Sequence, residues 1–233
     1  MGVSTFIKLD SNIDYSFKLT LSAIDGSLHE IPTAEGTVSY VIAGAVNFTL
    51  NKHKLAFNSY NITDNIYEGS GEEFMRRMEY DLANSLNSDI ILMDRKLSMD
   101  KEKNMKIPNN TIGIVKDFDP KIRSELNYNE YPWLLVKEEN KDIISGYFKL
   151  NKYSWVFYFE SNIIDPKKIL TLLSICGEYP IPEALGYNYP LFLADKLVKY
   201  YRNKMEKAMD ITKGKLLEYR EFRSIMEYSR AKK

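Results

Sequence analysis

Three strand-like segments lie in succession between Tyr15 and Ile62, and they restrict the chain to folds built on a sheet. From Tyr15 to Asp25 the residues alternate, with Phe17, Leu19, Leu21, Ala23 and Asp25 on one face. Gly26-Ser27 predicts a turn, and Thr37 to Leu50 reads as a long strand rich in Val, Ile and Tyr. Asn51-Lys52 predicts a hairpin turn into a third strand, His53 to Ile62. Adjacent strands joined this way predict an antiparallel meander.

The period changes near Gly71. Phe74, Met75, Met78, Leu82, Ala83 and Leu86 recur at helical spacing, and a short apolar strand follows from Asp89 to Asp94. Arg95 to Asn110 is polar and predicts a loop, and Thr111 to Lys116 predicts another strand. Beyond a charged linker, residues 143–150 and 154–160 predict a second hairpin around Asn151-Lys152. Asp165-Pro166 is an N-cap followed by an N1 proline, so a helix is expected to about Cys176. A Pro- and Gly-rich loop covers 177–189, and helices are expected over about 190–210 and 213–228. The whole predicts one α/β domain over 1–233, with a mixed sheet in about 15–160 and a mostly helical remainder.

Four acids fall where apolar residues belong. Asp25 continues the inward face of its strand, and Asp94 ends a strand that is apolar on both faces. Glu79 lies four residues after Met75 and three before Leu82, on the buried stripe of its helix. Asp195 lies four after Leu191 and three before Val198. Glu73 shares a face with Arg76, Arg77 and Tyr80 that reads as solvated. A buried carboxylate costs several kcal/mol unless a cation or metal offsets it. Taken singly, each acid is also explained by a salt bridge or a partly exposed cap. Taken together, four converging acids make an oxygen-rich pocket suited to Mg²⁺ or Mn²⁺ and to two-metal phosphodiester hydrolysis.

Composition narrows the chemistry by exclusion. One Cys and two His leave no material for a disulfide framework, a zinc ribbon or a His-based metal cluster. A serine hydrolase on Ser27 and His29 lacks the GxSxG elbow. The 32 Lys and Arg equal the 32 Asp and Glu, but they are segregated. Residues 196–233 hold 12 basic against five acidic residues, interleaved with Tyr200, Tyr201, Tyr219 and Tyr228. That is either a phosphate-binding surface or a pair of ordinary solvated helices. No stretch reaches the ~18 apolar residues of a membrane span, and a soluble, cytoplasmic protein is expected.

The same residues carry a family resemblance. Ile24-Asp25-Gly26-Ser27 followed by a long apolar strand resembles the first motif of the archaeal and bacterial NurA nucleases. Arg76-Arg77-Met78-Glu79, then Asp89 to Asp94, is similar to the family's acidic helix and second aspartate strand. Gly113-Ile114-Val115-Lys116 is similar to the next strand with its Lys, and Gly186 to Leu191 leading into Ala194-Asp195 resembles the C-terminal motif. The resemblance spans about Leu21 to Val198.

What the resemblance implies is an RNase H-like mixed β-sheet flanked by α-helices, with a helical C-terminal part. It implies Mn²⁺-dependent cleavage of single- and double-stranded DNA, both 5′-to-3′ exonucleolytic and single-strand endonucleolytic, in end processing and repair. A homodimer working with a HerA-type hexameric translocase is implied too. Asp25, Glu79, Asp94 and Asp195 would hold the metals, two ions in the family's pattern, with Mg²⁺ as an alternative to Mn²⁺. A Tyr stands near the metals in the family; Tyr147 is assigned that place ahead of Tyr158. Lys116 would touch the scissile phosphate; apart from the resemblance, Arg95 and Lys96 would grip DNA phosphate or else quench the site, and Lys199 and Arg202 of the basic C-terminal stretch would contact DNA. Two departures stand out: Asp94 continues into Arg95-Lys96-Leu97 where the family has Gly-Ser-Leu, and only 24 residues precede Asp25. These leave open a diverged, catalytically inactive subunit that binds DNA or a helicase.

Overall fold

The computed structural model describes residues 5–9, 18–33, 36–139, 142–179, 181–183 and 186–208. Its centre is a nine-stranded mixed sheet in the order β1-β7-β8-β9-β6-β5-β2-β3-β4. The strands are β1 (Thr5–Lys8), β2 (Lys18–Thr33), β3 (Gly36–Asn51), β4 (Lys54–Glu68), β5 (Ile90–Met93), β6 (Thr111–Val115), β7 (Trp133–Glu139), β8 (Ile144–Lys149) and β9 (Phe157–Ser161). The helices are α1 (Glu72–Ser85), α2 (Leu97–Glu102), α3 (Pro120–Glu125), α4 (Pro166–Gly177) and α5, helical over 189–208.

The predicted meander is present: β2, β3 and β4 pair antiparallel, turning at Asn51-Lys52, where Lys52 takes φ 55°. The turn predicted at Gly26-Ser27 is not. β2 runs on to Thr33, and Gly26 stays in register opposite Ala43. Its missing side chain serves a close approach from α1, described below, rather than a change of direction. The expected loop at 95–110 contains α2, and the charged linker contains α3 and β7. Asp165 caps α4 as expected, accepting from the amides of Lys167 and Lys168 at 2.9 and 3.3 Å. The helix expected at 213–228 lies outside the described residues.

Alternation assigns the two faces of the sheet. Leu21, Ala23, Ile90, Leu92, Ile112, Ile114, Phe148 and Phe159 face α4 and α5 and form the main core with Leu170, Leu173 and Leu191. The intervening Ile24, Ile91 and Met93 face α1 and pack on Tyr80 and Ala83. Burying apolar area on both faces at ~25 cal/mol per Å² stabilises the layers and fixes register, since a one-residue slip would invert every side chain. The Glu73 face is only partly solvated: Glu73 pairs with Arg77 at the surface, whereas Arg76 and Tyr80 turn inward to buried Asp100, each at 2.8 Å. Among the described residues, no helix is long and apolar enough to cross a membrane.

Candidate active site

Topology brings the acids together at one end of the central strands. β2 and β5 are parallel neighbours, with Ile24 opposite Met93, so the next residues along each strand are Asp25 and Asp94. Both side chains lie on the face of Leu21, Ala23, Ile90 and Leu92. β6 lies beside β5, also parallel, and its Ile112–Ile114 face continues to Lys116. The Lys116 Nζ sits 2.7 Å from an Asp94 Oδ.

Asp195 arrives from α5 on the same face. Gly44, opposite Asp25 in β3, lets that helix approach, because a Cβ there would lie 2.7 Å from Val198. Val198 is fully buried three residues beyond Asp195. Asp195 pairs with Lys199 one turn on, at 2.6 Å. Glu79 comes from the opposite layer. It is buried on α1, and its carboxylate occupies the space where a Cβ on Gly26 would fall.

The electrostatics of Asp25 record this crowding. Burial, then the charges of Glu79 and Asp94 and to a lesser degree Asp195, push its carboxyl up to about 8, against one lowering hydrogen bond from the Gly26 amide. Tyr187, in the loop before α5, is buried, and its hydroxyl lies against the Asp94 carboxylate without a well-aligned hydrogen bond. Burial and the neighbouring Asp94, Asp25 and Asp195 raise its phenol well above the ordinary value. Lys116 Nζ lies 4.6 Å from the centre of its ring. A buried phenol set among three carboxylates, its bond to Asp94 imperfectly made, is a polar atom that a metal-bound water or a phosphate oxygen would satisfy.

The residues therefore fit a hard divalent cation in donor chemistry, with oxygen ligands from Asp25, Asp94 and Asp195. They are not already drawn into a ligating cage: among the described residues no three acidic, His or Cys groups stand close enough to hold an ion. Two of them are paired with lysines instead, Asp94 with Lys116 and Asp195 with Lys199. The Lys116 and Lys199 side chains are 43% and 51% exposed and can swing away. Arg95 is different, since it bonds Glu79 through Nε at 2.5 Å with both side chains largely buried. Burial pushes the Glu79 carboxyl up and Arg95 pulls it down. Burial likewise works against the guanidinium's charge, but Glu79 outweighs it and Arg95 is held more firmly protonated than usual. An arginine does not surrender its proton in a protein, so the cation of the pair is fixed, while burial outweighs Arg95 and leaves the Glu79 carboxyl above its ordinary value.

The structure thus unites Asp25, Asp94, Asp195, Glu79 and Lys116. It does not bring Tyr147 to them. That residue packs with Trp133 and Val156, its ring 5.3 Å from Phe118 and 5.4 Å from Tyr158, on the face opposite Phe148. Tyr187 is the aromatic beside the acids instead. Its signal was its place within the Gly186–Leu191 motif, not any periodicity. Lys96 is exposed, 5.8 Å from the Tyr158 ring, and Arg202 reaches back from α5 to the Ser27 hydroxyl at 3.2 Å. The basic residues beyond 208, with Tyr219 and Tyr228, lie outside the described residues.

A mixed sheet in which Asp94, just past the end of β5, lies beside Asp25 within the longer parallel neighbour β2, with further carboxylates from helices on either side, defines an RNase H-like nuclease fold. Residues 19–131 and 110–200 match the NurA domain, and the chain belongs to the NurA family. Its structure is similar to the NurA nuclease from Sulfolobus solfataricus, at TM-score 0.57 and 18% identity over 88% of this chain and 87% of that one. Endonuclease V from Bacillus subtilis shares the fold at TM-score 0.52 and 13% identity, covering 81% and 83% of the two chains. Endonuclease V from Streptomyces avermitilis does so at 0.50 and 15%, covering 84% of each. None of the curated proteins matches the sequence.

Proposed function

We propose that the protein is a metal-dependent DNA nuclease acting in DNA end processing, with 5′-to-3′ exonuclease and single-strand endonuclease activity. The observation that carries this reading is Asp25, buried and facing the charges of Glu79, Asp94 and, less strongly, Asp195, which together push its carboxyl up to about 8. Such mutual repulsion is offset when divalent charge enters. Asp25, Asp94 and Asp195 would hold Mn²⁺ or Mg²⁺, with Glu79 joining them once Arg95 lets go. When bound, such ions activate water and stabilise the leaving oxygen of a phosphodiester. Lys116 pivots from Asp94 to the scissile phosphate, neutralising charge that grows in the transition state. The Tyr187 hydroxyl donates to an oxygen in the same pocket. Lys199 and Arg202, one and two turns beyond Asp195, hold the strand by its phosphates. A homodimer, and a HerA-type translocase as partner, belong to the same proposal by family.

Incubation with single-stranded DNA and Mn²⁺, beside Asp25→Ala and Asp94→Ala, tests it. Cleavage that needs the metal and is lost in both variants is expected; cleavage indifferent to metal or to either substitution overturns the mechanism. The Arg95–Glu79 pair favours a second reading, in which the family member binds DNA or a helicase without cutting. Calorimetric uptake of Mn²⁺ that disappears in Asp25→Ala counts against that reading; DNA binding with no Mn²⁺ uptake counts for it.

A further inference from the structure

Between α3 and the β8–β9 hairpin lies a cavity of about 380 Å³ lined by Arg123, Asn127, Lys149, Lys152, Tyr153 and Trp155, with no acid in its wall. Lys149 is only 4% exposed. Its ammonium donates to the Asn127 side-chain oxygen at 2.6 Å and the Tyr128 carbonyl at 3.4 Å, both neutral acceptors. Among the described residues no carboxylate forms an ion pair with Lys149, Arg123 or Lys152. A buried ammonium held by neutral oxygens alone is an uncompensated charge, and three cations around one cavity call for an anion.

The aromatic groups say which anion. Trp155 is 65% exposed and Tyr153 80% exposed at the tip of the hairpin, positions from which apolar rings normally withdraw. The Arg123 guanidinium lies 4.7 Å from the Phe118 ring and 4.9 Å from the Trp155 ring, and its Nε is buried without a hydrogen-bond partner. A flat cation backed by one ring and flanked by another leaves the outer face of Trp155 open for stacking. An acidic peptide would satisfy the charges but not the exposed rings. A nucleotide supplies both a phosphate and a flat base.

The cavity is also joined to the carboxylates. Arg123 donates to the Lys116 carbonyl, and the Lys116 ammonium is on Asp94. On the other side Gly186, next to Tyr187, packs directly on Ser154 and Asn151 of the hairpin.

We propose that this cavity is a strand-binding subsite: it takes one phosphate of a single-stranded nucleic acid on Arg123, Lys149 and Lys152 and stacks the adjoining base on Trp155. The choice of nucleic acid rests on the nuclease reading above. Holding a strand there fixes its path to Lys116 and Asp94, so that the distance between a stacked base and the cut is set by the protein.

The test is a fluorescence titration of the full chain with an oligo(dT) in EDTA, where no cleavage occurs. Of the two tryptophans Trp133 is fully buried, so quenching that vanishes in Trp155→Phe reports Trp155. Quenching is expected, with affinity falling roughly tenfold in Trp155→Ala. In Lys152→Ala, on an exposed turn, the slope of log affinity against log salt should fall by about 0.7. Wild-type affinity and salt slope in both variants overturn the proposal. So does saturation by inorganic phosphate, dTMP or poly-glutamate with no tighter binding of the oligonucleotide, which would mark a free-anion or peptide site. Oligonucleotide bound here by a protein that cuts nothing with Mn²⁺ refutes the nuclease reading alone. Cleavage by a protein indifferent to Trp155 and Lys152 refutes this subsite alone.

Discussion

Replacing Asp25 by Asn keeps the shape of the site and removes its most perturbed carboxyl. In the folded chain that group titrates at about 8, against 3.8 in its ordinary state. The folded state therefore holds a proton that the unfolded chain releases across roughly pH 4 to 8. Stability from this group is fully present below the unfolded value and is lost as pH rises through the folded one. At ~1.4 kcal/mol per pH unit the ceiling is about 6 kcal/mol, and partial solvent access reduces this to ~2–3 kcal/mol. Glu79, Asp94, Asp195 and Tyr187 face the group as acids, while Lys116, Lys199 and Arg95 moderate them. Urea unfolding in EDTA, at half-unit steps from pH 5 to pH 8, should show Asp25→Asn gaining on wild type as pH rises. Adding Mn²⁺ at a hundred times its Kd should stabilise wild type by ~2.7 kcal/mol and leave the variant nearly unchanged. Parallel pH curves separated by a constant offset would falsify the argument, because they would mean that Asp25 is an ordinary solvated acid.

Arg95→Gly should tighten Mn²⁺ binding by freeing Glu79, while lowering metal-free stability by ~3–5 kcal/mol through the unpaired buried carboxylate; calorimetry and melting measured side by side check both, and unchanged affinity sinks the clamp. Tyr187→Phe removes a buried hydroxyl that is only poorly aligned with Asp94, so stability should change by no more than ~1 kcal/mol, while Mn²⁺-dependent cleavage drops about tenfold or more with little change in KM; full activity would leave the phenol without a role. Gly26→Ala drives a methyl into Glu79 and Met75, and a loss of ~1–3 kcal/mol together with weakened Mn²⁺ uptake is expected; wild-type metal binding would show that Glu79 does not depend on that gap.

Much of the sheet was legible because its strands declare themselves by alternation. β2 alternates, β3 is a long run rich in Val, Ile and Tyr that the Asn51-Lys52 turn joins to β4, and α4 carries a cap and a proline at its start. β7 did not declare itself, since Trp133-Leu134-Leu135-Val136 is followed by Lys and Glu and reads as charged linker. β1, four residues at the sheet edge, is too short to show a period. Gly26 was misread because a glycine within a strand looks the same in sequence whether it turns the chain or admits a neighbour.

The sequence by itself determined which acids lie on inward faces, since side-chain period is a local property of the backbone. Period put Asp25, Glu79 and Asp195 on inward faces and left Asp94 at the end of a strand apolar on both, the family resemblance named the same four, and the scarcity of His and Cys made any metal site among them an oxygen site. Only the tertiary structure decided what those acids meet. Asp25 and Asp94 are neighbours because β5 docks parallel to β2 after an excursion of two strands and a helix, a choice no local pattern encodes. Arg95 turned out to be the partner of Glu79, sixteen residues away, and Tyr187 rather than Tyr147 stands beside the aspartates. Partners are set by how layers pack and where loops return, and those depend on the whole core rather than on any one segment.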